Sequence, residues 1–82
     1  MIFTVYALFD SVRNKYMNIT IDDNDEIAQR NFLEQVSQNA HLMYVAKDLV
    51  LYKIGEMNIE TGLLIPYPQP QMICRGSDYD KV

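Results

Sequence analysis

The sequence predicts an α+β domain: an antiparallel sheet of about four strands with one amphipathic helix packed on it, in the order β-β-α-β-β. Three observations carry this reading. Two stretches of two-residue alternation open the chain. A segment of helical period follows an acidic cluster near residue 24. A second strand-like pair then surrounds a short loop ending in glycine.

Residues 2–9 are rich in β-branched and aromatic side chains. Phe3, Val5, Ala7 and Phe9 fall on one face and Ile2, Thr4, Tyr6 and Leu8 on the other. Both faces are largely apolar, as expected of a central strand. The polar, turn-prone segment 10–15 leads to a second alternating run, residues 16–21, and the two strands read as a hairpin.

Asp22, Asp23 and Asn24 are residue types that cap helix N-termini, and Asp23 with Glu26 three positions on has the form of a capping box. Ala28, Phe32, Leu33 and Val36 then share one helical face, and residues 37–39 read as the helix end. Residues 39–47 read as a connection that packs one or two apolar side chains inward. Residues 49–57 form the third strand, 58–62 a tight loop and 63–65 a fourth strand. Pro66, Pro68 and Pro70 recur every second residue, a pattern that fits a blunted edge strand or a polyproline-like arm. Residues 1–75 therefore read as a single domain, with 76–82 a polar tail expected to fray.

A domain of 82 residues buries a thin core, and proteins of this size are often stabilised by a partner or a second copy. Apolar residues make up 49% and charged residues 22%, a globular balance. The formal net charge of −4 argues against non-specific coating of duplex DNA, which needs clustered Lys and Arg; it leaves room for a local basic groove. No apolar run approaches the roughly 18 residues of a membrane helix, and a single cysteine, Cys74, fits a reducing compartment.

Catalytic chemistry is not indicated. His41 is the sole histidine and has no nucleophile or carboxylate at a telling spacing, Cys74 has only Arg75 beside it to lower its pKa, and no glycine-rich phosphate loop exists. The acidic run 22–26 lacks the glycine and distant glutamate of an EF-hand. The expectation is a binding protein without cofactor or metal. Arg13, Lys15 and Tyr16 at the first hairpin, Tyr52 and Lys53 on the third strand, and Arg30 on the helix combine cations with aromatics, the means by which sheets hold single-stranded nucleic acid. Pro66, Tyr67, Pro68 and Pro70 are the candidate protein-docking residues. An exposed sheet face and open edges predict a homodimer.

Two segments carry a family resemblance. "NDEIAQRNFLEQV" (24–36) has Asn-Asp at a helix start, followed by Ala28, Arg30 and Phe32. "DLVLYKIGEMNIETGLLIP" (48–66) places Tyr52 before Ile54-Gly55-Glu56, then Glu60-Thr61-Gly62 and Pro66. In order and spacing these resemble the small nonstructural protein of gokushovirus-type microviruses, which are single-stranded DNA phages. The connection "HLMYVAKD" and the Tyr-Pro-Gln-Pro stretch are this chain's own. The resemblance implies a phage accessory protein of the host cytoplasm that binds single-stranded DNA in replication or packaging. The alternative is a module that docks on the replication or procapsid machinery.

Overall fold

The computed structural model describes residues 1–81, with side chains as far as Tyr79. Four antiparallel strands, β1 (Ile2–Asp10), β2 (Lys15–Asp22), β3 (Leu49–Asn58) and β4 (Leu64–Arg75), form one sheet in the order β2-β1-β3-β4. β1 is interior, as its two apolar faces require. Helix α1 (Asp25–Gln38) packs on one side through Ala28, Phe32, Leu33 and Val36, all buried, against Tyr6, Leu8, Leu49, Leu51 and Cys74 of the sheet.

The α+β class holds, but the element order is richer than β-β-α-β-β. The connection after α1 contains a second helix, α2 (Ala40–Val45), and a 3-10 turn at Ala46–Asp48. Asn39 joins the two helices. Its backbone N–H closes α1 on Val36, and its side chain accepts from the backbone N–H groups of His41 and Leu42. Leu42 and Val45 pack on the core and Ala46 is buried, while Tyr44 points to solvent. The α1 cap is Asn24, whose side chain accepts from the N–H of Ile27 at 2.9 Å, and not the box formed by Asp23.

The fourth strand does not stop at Ile65. It runs through all three prolines to Arg75, and it can do so because it is an edge: only one side of its backbone must pair. The pairing breaks at 67–70, a bulge lying opposite Ile54 between the pairs Gly55–Pro66 and Lys53–Gln71. Pro66 approaches so closely that a Cβ on Gly55 would lie 2.6 Å from the carbonyl oxygen of Ile65. The segment from 76, expected to fray, instead forms a 3-10 turn at Gly76–Lys81. Gly76 sits against the backbone of Ala46, and Tyr79 packs on the core. Val82 lies outside the described residues.

Candidate nucleic-acid interface

The strand registers sort every paired residue onto one of two faces, because directly opposed residues on neighbouring strands point the same way. Tyr6, Leu8, Leu51 and Cys74 face α1. Lys53 pairs with Tyr6, Asp22 and Glu56 with Thr4, and Lys15 with Asp10, so these charged residues lie in helix-side rows. The intervening rows form the open face. One row across the whole sheet reads Tyr16, Phe9, Val50, Arg75; the next includes Ala7, Tyr52 and Met72. Beyond them come Ile21, Val5, Gly55 and Pro66, and then Phe3, Met57 and Leu64. Arg75 is the one charged residue in these four rows, and they contain no carboxylate.

Three aromatic rings meet on that face. The Phe9 and Tyr16 centroids are 4.8 Å apart, Tyr16 and Tyr52 5.7 Å, and Phe9 and Tyr52 6.3 Å, in tilted and edge-to-face arrangements. They form beside Ala7 and Val5, whose small side chains are buried at the centre of the face and let the larger neighbours close over them. Tyr16, at the sheet edge, remains 49% exposed.

The structure therefore divides the residues singled out by sequence. Tyr16 and Tyr52 come together. Lys53 lies on the opposite face, where its ammonium is 3.1 Å from Asp25. Arg13 belongs to the exposed hairpin turn and lies 3.7 Å from Asp10. Lys15 is exposed at the start of β2 with its side chain in a helix-side row, and Arg30 is exposed on α1. The six do not share one surface. The register adds Phe9 and Arg75 to the row that holds Tyr16. The alternation places Phe9 on one strand face, but with both faces apolar nothing in the sequence indicates which one the helix leaves open. Arg75 lay beyond the expected strand.

Pro66 belongs to the open face, whereas Pro68 and Pro70 are exposed in the β4 bulge. Tyr67 is half-buried, and its hydroxyl donates to Glu56 Oε2 at 3.1 Å. Burial, then the Glu56 carboxylate, raises its pKa above the ordinary tyrosine value. These residues are part of the sheet and not a free arm.

The helix side holds the titratable groups with the largest departures. Tyr6 is fully buried and its hydroxyl donates to Asp25 Oδ1 at 2.8 Å; burial, then that hydrogen bond, raises its pKa strongly. Cys74 is pushed up to about 11 by burial and by Asp78, the opposite of what a reactive thiol needs. An open groove of about 490 Å³ lies between α1 and β2, floored by Leu8 and Phe32 and flanked by Asn18, Asn31 and Gln35. No helix among the described residues is long and apolar enough to cross a membrane.

Comparison with known proteins finds no curated protein and no solved structure that matches this chain. A protein-family model does match, that of the phage ORF5 protein, over residues 3–79. That span runs from β1 into the turn that follows β4, and the chain belongs to the phage ORF5 protein family.

Proposed function

We propose that this phage protein binds single-stranded DNA on the open face of its sheet, as a nonstructural accessory of replication or packaging in the host cytoplasm, without catalysing a reaction. One observation carries the reading: the Phe9, Tyr16 and Tyr52 cluster lies among four open-face rows that contain no carboxylate, with Arg75 in the same row as Tyr16. Bases stack on exposed rings whatever their identity, and a guanidinium at the end of the row meets the phosphate that follows. The net charge of −4 counts less against this than it does in the sequence, because the sheet's carboxylates occupy its other face. The similarity to gokushovirus-type nonstructural proteins supports the single-stranded DNA phage setting.

A second reading has its own support. The open face also exposes Ile21, Leu64 and Met72, the last 55% accessible, and a largely uncharged apolar surface suits docking on a replication or procapsid protein.

Titration of a labelled single-stranded oligonucleotide in low salt separates the two. Stacking is worth about 1–3 kcal/mol per base, so Tyr16→Ala is expected to weaken binding roughly tenfold or more. Arg75→Gln should weaken it less, and Lys53→Gln, on the far face, should leave it unchanged. An absence of binding at high micromolar protein, or equal sensitivity to Lys53→Gln and Tyr16→Ala, would overturn the DNA reading and leave the docking module.

A further inference from the structure

The two edges of the sheet are unequal. β4 is blunted by Pro66, Pro68 and Pro70 and by the bulge at 67–70. β2 has no proline, no strand among the described residues pairs with its outer edge, and six of its eight residues are exposed. Helix α1 reaches its helix side, where Asn31 donates to Asp22 at 3.3 Å and leaves that carboxylate further acceptor capacity. The interior of the strand, Tyr16 to Ile21, is uncharged and rich in side chains that favour strands, with Ile19 69% exposed. An unprotected edge presents unpaired N–H and C=O groups to any strand that fits it.

We propose that β2 pairs antiparallel with β2 of a second copy, in the register that sets Lys15 against Asp22 of the partner subunit. The charges and faces of the strand select this arrangement. Lys15 and Asp22 stand at the two ends of β2 with no charge between them. A two-fold axis through the middle of the strand therefore creates two identical Lys–Asp pairs, whereas a slip by two residues toward Thr20 loses both. The faces agree as well. The extra residue in β2, where Asn18 adopts φ +54°, shifts the alternation so that Tyr16 and Ile21 both lie on the open face and Lys15, Met17, Thr20 and Asp22 on the helix side. In the proposed register Tyr16 meets the partner's Ile21, Met17 the partner's Thr20, and Lys15 the partner's Asp22, like face against like face. The irregularity at Asn18 falls on the axis and confines the pairing to a short segment on either side of it, which makes the dimer dissociable.

The result is a continuous eight-stranded sheet in which the row Arg75, Val50, Phe9, Tyr16 runs on into the partner's open face. The consequence for DNA rests on the reading above; the dimer itself does not, and it is tested without DNA. Sedimentation of the full chain across the micromolar range should show a monomer–dimer equilibrium. Lys15→Glu removes two ion pairs and sets like charges together, so the dimer should weaken roughly tenfold. The exchanged pair Lys15→Glu/Asp22→Lys should restore it, with circular dichroism confirming the fold of each. Hydrogen exchange should slow on dimerisation at 16–21 and not along β4. A chain that stays monomeric throughout, a dimer indifferent to Lys15→Glu, or protection confined to β3 and β4 overturns the proposal. In each of these cases the single-chain aromatic site still stands or falls by the oligonucleotide titration.

Discussion

Asp25 ties the helix to the sheet and holds the Lys53 ammonium on the helix side, away from the open face. As the first residue of α1 it accepts Tyr6 at 2.8 Å and Lys53 at 3.1 Å, so one carboxylate joins a buried phenol and a half-buried ammonium at a helix N-terminus. Tyr6→Phe keeps the ring and removes the hydrogen bond. A loss of about 1 kcal/mol is expected in urea melts, together with a change in alkaline behaviour. The sign follows from the raised pKa of Tyr6. Below the ordinary value near 10.0 the phenol is protonated in folded and unfolded chains alike, and its contribution is fully present. Above it the unfolded chain ionises first, and stability falls until the folded phenol also titrates. Cys74, raised from 9.0 to about 11, begins the same decline somewhat earlier. Stability should thus be insensitive to these groups through neutral pH and drop above about pH 9, at up to about 1.4 kcal/mol per pH unit for each group. The Tyr6→Phe decline should be shallower. A parent protein whose stability rises above pH 9 would contradict this account.

At the scale of elements, what could be read followed from length and period. α1 was legible because its buried residues repeat over several turns and Asn24 and Asn39 bound it. β1 was legible as interior because both its faces are apolar. α2 spans six residues, too few for a period to show, and its capping residue Asn39 is also the end of α1. β4 is an edge strand through its three prolines, one of the two forms their spacing allows; its continuation to Arg75 was not legible because the two-residue alternation breaks at the 67–70 bulge. Which residues share a surface depends on a fact no strand encodes by itself, which face the helix covers: Tyr16 and Tyr52 lie together on the open face and Lys53 lies on the other. The last turn was missed because its anchor is an absent side chain. A Cβ on Gly76 would lie 2.5 Å from the carbonyl oxygen of Ala46, so only glycine lets this segment dock. Gly76→Ala should force the backbones apart, cost about 1–3 kcal/mol, and speed hydrogen exchange at 76–79. Unchanged melting and exchange would mean that the docked turn contributes nothing to the fold.

Over the whole molecule the decisive feature is the distribution of charge through a thin body. The principal extents are 38 × 24 × 16 Å, so the carboxylates of the helix layer are never far behind the open face. In about 0.01 M salt the screening length is about 30 Å, and the −4 charge of the chain is felt by a strand lying on that face; near 0.15 M it is about 8 Å, and mainly Arg75 is felt. Counterion release works in the opposite direction, by about −0.7 in log K per log salt for each phosphate neutralised on a single strand. With Arg75 in the row and Arg13 at the nearby turn, one or two phosphates are within the protein's means. The two effects oppose each other, and stacking on Tyr16 and Tyr52 is insensitive to salt. Oligonucleotide affinity should therefore be nearly flat, or rise slightly, as salt is first added, and then fall with a slope no steeper than roughly −1.5. Binding isotherms over a salt series check this directly. A slope of about −3 or beyond from the lowest salt would require several clustered cations, which the four open-face rows do not hold, and would move the DNA away from the aromatic rings.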